Sequence, residues 1–256
     1  MVDLSIIQFA LLALVTFFAA MTQSITGFGF ALLTLPFYVL ILDLQSAVQL
    51  TLISTFIITI ILVPVVYKNA PLQTCKQLIQ GSCFGFPLGF ILLNYATTTS
   101  IQIFVSVVIF SAIFIPFFLK KQLSSNSENI KSSALKTGLY GFVSGMMTTS
   151  IAMPGPALAF YAQNNSLGKQ ETRAMIFMVF LFSYGTAILL QLFMNGIFET
   201  TRGSLVYVLI PAIFGTLFGN KISGKIPDKI FRKFVNLILI LTATYLLLSN
   251  MIKLLG

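Results

Sequence analysis

Apolar residues run in long blocks along this chain, and charges collect in the short stretches between them. Blocks near 20 residues are the length at which a helix crosses a hydrocarbon layer. Bounded by its polar stretches, the first half reads as segments 5–22, 28–42, 47–67, 78–95 and 101–119. The second half reads as 135–149, 155–164, 173–194, 205–218 and 231–249. The short alternating strands of a membrane barrel are missing. The pattern therefore predicts an all-α polytopic membrane protein.

Two places interrupt the blocks. "MTQSITGFG" (21–29) and "MMTTSIAMPGP" (146–156) each set hydroxyl or amide side chains directly before Gly or Pro. Backbone freed from a helix at membrane depth is tolerated only where protein buries it or a wet cavity surrounds it. A helix restarting after such a break offers free N–H groups and a positive dipole end. Gln23, Ser24, Thr26, Thr148, Thr149 and Ser150 are the candidate side-chain donors there, and Gly27, Gly29, Gly155 and Pro156 shape the backbone. Together they are predicted to bind a small anion near the midplane. The plainer reading of either break alone is a structural kink whose hydroxyls bond back to the helix. Segment 155–164 would form only about 15 Å of helix, half of a hydrocarbon core of about 30 Å.

The breaks fall at matching places in two halves, and "GFPLG" (85–89) and "GTLFG" (215–219) repeat in the same order. This predicts a tandem duplication, with repeats at 1–119 and 135–256 joined by a polar linker at 120–134. Charge sets the orientation. If the first two segments of each half form an out-and-back pair, all basic residues except Arg202 and Lys253 fall on one side. If each pair is one broken span, the basic residues divide almost evenly. Only the first arrangement obeys the positive-inside rule. It places the linker in the cytoplasm and both termini outside. Each half then crosses an odd number of times, so the repeats are inverted, with their first two segments short or re-entrant.

The composition is 57% hydrophobic and 8% charged, with a net charge of +9. The basic loops fit the positive-inside pattern and anionic lipid headgroups, and no nucleic-acid partner is expected. There is no histidine, and Cys75 and Cys83 are the only cysteines. A metal, haem or iron–sulfur site has almost no ligands, so no cofactor is expected and both cysteines are expected as buried thiols. No GxSxG, Walker loop or carboxylate cluster supports catalysis, so the chain is not expected to be an enzyme. The N-terminus has no basic n-region, so the first apolar block is expected to stay in the fold.

No ionisable residue lies in the middle of a predicted segment, which disfavours proton pumping. An anion leaving a cell gains about 2.3 kcal/mol per charge at 100 mV, so its export needs no coupling ion. Arg173, opening segment 173–194, either attracts anions at the inner mouth or snorkels to fix topology. The glycines 81, 85 and 89, with Gly141, Gly145, Gly215 and Gly219, predict close helix contacts. Gln49, Asn94, Gln163, Asn164 and Gln191 are further lining or interhelical groups.

"TGFGFALLTLPFY", "GLYGFVSGMMTTSIAMPGPALAFYAQNNSLGKQETRAMI", "GSCFGFPLG" and "PAIFGTLFGN" follow one another in an order that resembles the sulfite exporter TauE/SafE family of membrane permeases. The resemblance covers nearly the whole chain. It implies export or uptake of small anions such as sulfite, sulfoacetate and other sulfur-containing oxyanions or organic acids. It also implies that the family's glycine-rich breaks fall on Gly27, Gly29, Gly155 and Pro156. Phe28, Phe30 and Pro154 depart from the family's successive glycines, and bulk there would narrow a site or favour a less polar anion. The expected protein is a multi-pass transporter of the inner membrane working by alternating access. An anion channel and a non-transporting assembly factor remain as alternatives.

Overall fold

A computed structural model describes residues 6–95 and 133–223, with isolated helical positions at Ser100, Ile103, Val107 and Thr244. The expected fifth segments of both halves and nearly all of the linker lie outside the described residues. The described residues are helical throughout, without strands. In chain order the helices are α1 (Ile6–Thr26), α2 (Phe30–Ile41), α3 (Leu44–Val66, continued by a 3₁₀ turn to Asn69) and α4 (Leu72–Tyr95). They continue as α5 (Ala134–Ile151), α6 (Gly155–Asn164), α7 (Lys169–Asn195) and α8 (Glu199–Ile222). Among the described residues, five helices, α1, α3, α4, α7 and α8, are long and apolar enough to cross a membrane.

Several helices run past the ends that hydropathy assigns. α1 continues through the polar run to Thr26, because Thr22 and Thr26 donate their hydroxyls to Phe18 and Thr22 carbonyls one turn back. A threonine bonded this way hides its polarity inside the helix. α7 begins at Lys169, where Glu171 reaches back to accept the Gly168 amide, a carboxylate placed well for a helix start. Arg173 therefore falls in the second turn of α7 rather than at its start. Pro36 sits within α2 without ending it.

α2 is too short to span, at about 18 Å for 12 residues, and it folds back along α1. The Thr16 and Tyr38 hydroxyls bond across this hairpin at 2.6 Å. α5 and α6 form a second hairpin, with Thr137 and Tyr161 hydroxyls 3.3 Å apart. α3 and α7 cross antiparallel at the centre. Gln49, early in α3, donates to Gly196 just beyond α7 and accepts from Phe198, and Phe56 lies against Gly185.

Two parallel pairs flank this centre, and small residues set their spacing. A Cβ at Gly81, Gly85 or Gly89 of α4 would collide with backbone of Gly138, Phe142 or Met146 on α5. Gly141 and Gly145 of α5 press equally on Leu78 and Ser82. On the other flank, Gly215 and Gly219 of α8 meet Phe17 and Met21 of α1. Such backbone contact substitutes packing and dispersion for the hydrophobic drive that lipid removes. Outward faces are apolar, with Leu14, Phe84, Phe193 and Phe214 exposed. Besides the tyrosine hydroxyls, the described buried polar side chains are all Ser, Thr or Gln. Cys75 is buried, but Cys83 is exposed beside Phe84, contrary to the expectation for both thiols. The buried stripe of α4 runs through Cys75, Leu78, Ser82 and Phe86, and residue 83 turns away from it.

Candidate functional site

The first break is the tip of the α1–α2 hairpin. Gly27 and Gly29 have φ of 93° and 115°, a left-handed region that side chains disfavour. The turn satisfies much of its own backbone: the Gly27 amide donates to the Gln23 carbonyl at 2.8 Å, and Phe28 N–H to the Thr26 hydroxyl at 3.3 Å. Thr26 in turn donates to the Thr22 carbonyl. Ser24 donates to Thr216 of α8 at 2.8 Å, which ties the tip to the flanking helix. No side chain caps α2, so its first-turn amides stay free of side-chain acceptors.

Arg173 of α7 lies directly on this tip. Its Cγ and Cα come within 3.3 and 3.4 Å of where a Gly27 Cβ would stand. Its Nη2 donates to Asn220 Oδ1 of α8 at 3.2 Å, and the guanidinium carbon is 5.9 Å from the centre of the Phe177 ring. Nε is buried without an acceptor, and so is Nε2 of Gln23.

The second break, at the tip of α5–α6, is closed differently. Ala152 takes the left-handed conformation, with φ 55°. The Ala152 and Met153 amides fold back onto the Thr148 and Met147 carbonyls at 3.0 and 3.1 Å, and Tyr184 of α7 donates to the Ala152 carbonyl at 2.8 Å. Thr148 and Ser150 give their hydroxyl protons to Ser144 and Met146 carbonyls, while Thr149 donates across to Phe86 of α4 at 2.9 Å. Pro154 precedes α6 and Pro156 occupies its first turn, which removes an amide donor from that end.

The two tips meet. A Cβ on Gly155 would stand 2.9 Å from Cβ of Phe28. Phe28 thus stands at the contact between the breaks, while Phe30 is fully buried in the hydrophobic core.

The model of one protein family, sulfite exporter TauE/SafE, matches residues 12–246, nearly the whole chain. The chain belongs to the sulfite exporter TauE/SafE family. Neither a curated protein nor a solved structure matches it. Membership makes it a multi-pass membrane protein of an anion-exporting family.

Within this TauE/SafE protein, the sequence pattern left three contacts at the tips unread: Asn220, Phe177 and Tyr184. Asn220 carried a faint signal, since it directly follows the glycine pair of α8. Of the expected polar lining groups, Gln49 pins the α7–α8 connection, Asn164 donates to Tyr140, and Asn94 bonds within α4 and to Asn195. Gln191 is buried with both amide atoms unpartnered.

Proposed function

We propose that this TauE/SafE protein exports sulfite, sulfoacetate or a related small sulfur-containing anion through a site between the two hairpin tips. The contact of Phe28 with Gly155 carries the reading. Two interrupted hairpins meet there, inside a bundle whose outer face is apolar. Breaks of this kind are where transporters of other folds bind substrate.

Alternating access between inverted repeats is the proposed mechanism, with both termini outside and the linker in the cytoplasm. Support comes from paired contacts. Phe17 meets Gly215 as Phe142 meets Gly85, and Met21 meets Gly219 as Met146 meets Gly89. Ser24 bonds to Thr216 as Thr149 bonds to Phe86. The first member of each pair is displaced by 125 residues (142 − 17), the second by 130 (215 − 85). The antiparallel crossing of α3 and α7 agrees with an axis lying in the membrane plane.

Proteoliposomes loaded with sulfite, sulfoacetate, sulfate or a carboxylate, under a potential negative inside, test the function. Efflux of a sulfur-containing anion is expected, accelerated by the same anion on the opposite side. Absence of flux for every anion would defeat the proposal, and conductance far above carrier turnover would replace the carrier with a channel.

A further inference from the structure

We infer that, in the site between the tips, the anion is held by groups at the first tip alone: the Arg173 guanidinium and the Gln23 side-chain amide. The assignment rests on the transport reading above and gives its site a charged end. Among the described residues Arg173 makes no ion pair: its partners there are the neutral Asn220 oxygen and the Phe177 ring. A guanidinium stays protonated in any folded protein, and shielding it from water without a counter-charge is unfavourable; Arg173 is half-buried, and its Nε is fully shielded. A neutral amide and one aromatic face offset only part of that. The missing partner is an anion.

Gln23 supplies the independent observation. It is 1% exposed, and its Nε2 has no acceptor. It lies one helical turn before Gly27, whose amide bonds to the Gln23 carbonyl and whose Cα faces Arg173. Both unsatisfied groups at this tip are N–H donors, so they select an acceptor-only ligand. The planar fork of a guanidinium matches two oxygens of one oxyanion better than it matches a halide. Sulfite, a sulfonate or a carboxylate fits this set, and chloride fits it poorly.

The α1 and α5 contacts are displaced by 125, and α3 and α7 start 125 residues apart (169 − 44), so Gln23 corresponds to Thr148 and Arg173 to Val48. Valine has no donor, and the Thr148 proton is already given to the Ser144 carbonyl. The second tip therefore offers no equivalent. The site is one-sided even though the scaffold is paired.

The test is the thermal unfolding midpoint of the purified full chain in detergent, titrated with sodium sulfite and with sodium chloride at matched ionic strength. The wild type is expected to rise with sulfite far more than with chloride. Arg173→Gln should weaken sulfite binding at least about tenfold and leave the anion-free midpoint equal or higher, because a half-buried charge with a shielded, unpartnered Nε is gone. Gln23→Leu should keep the rise with about three- to tenfold weaker binding. A wild-type sulfite response retained in Arg173→Gln would overturn the assignment. So would a variant that loses anion-free stability or fails to fold, since the arginine would then be a structural donor to Asn220. A wild type indifferent to sulfite, sulfoacetate and carboxylates would instead remove the transport reading, and this assignment with it.

Discussion

The two hairpin tips occupy corresponding places and are finished in opposite ways. At the second tip every hydroxyl proton is given to a carbonyl, the backbone folds onto α5, and Tyr184 closes the remaining Ala152 oxygen. At the first tip the turn is equally tight, yet a charged side chain and an amide are left with donors unspent. A shared scaffold can thus hold one tip as a closed structural turn and the other as a site. The difference lies in a few side chains, arginine against valine and glutamine against threonine, and not in the path of the chain.

The largest effect is expected from Gly27→Val. A β-branched residue at φ 93° costs about 1–3 kcal/mol in backbone strain and drives against Arg173, so anion efflux from proteoliposomes should fall to background. The matching change at the second tip, Ala152→Gly, relieves a left-handed alanine at φ 55°. It should leave efflux near wild type and the unfolding midpoint unchanged or raised by up to about 1 kcal/mol in stability. Equal losses from the two changes would erase the distinction between the tips.

Gly155→Ala tests whether the tips touch. Its new methyl would press on Phe28, with a cost of about 1–3 kcal/mol. Phe28→Ala keeps the nearest Cβ but removes the ring atoms at 3.3 and 3.4 Å, so it should return part of that cost, giving a coupling of about 0.5–1 kcal/mol in a double-mutant cycle. Strict additivity would separate the tips. Tyr184→Phe should cost about 1–2 kcal/mol by stripping the Ala152 carbonyl of its donor, read from the thermal midpoint. The smallest pair of effects tests the shared scaffold: Ser24→Ala and Thr149→Val should each cost about 1 kcal/mol. A clear inequality between them would weaken the equivalence of the two flanks.

Much of the scaffold was legible in the sequence because lipid imposes simple rules. α6 ends where its apolar block ends, and the glycines at 81, 85, 89, 215 and 219 lie on helix contacts as their spacing suggests. Helix ends were less legible. Thr22, Thr26 and Glu171 extend α1 and α7 by satisfying the backbone, which hydropathy does not measure. The division of labour between the tips was not legible at all. Hydroxyls at 148–150 and amides at 23 look alike along a chain, and only tertiary contact shows which protons are already given away. The place of Arg173 depended likewise on where α7 starts.

Sulfite efflux from proteoliposomes is measured under an imposed potential for Arg173→Gln and for Arg202→Gln, each removing one positive charge, the second from the exposed start of α8. Arg173→Gln should lower efflux at least about tenfold, the loss of one charged hydrogen-bonding group, while Arg202→Gln stays close to wild type. Equal efflux in the two variants would contradict it.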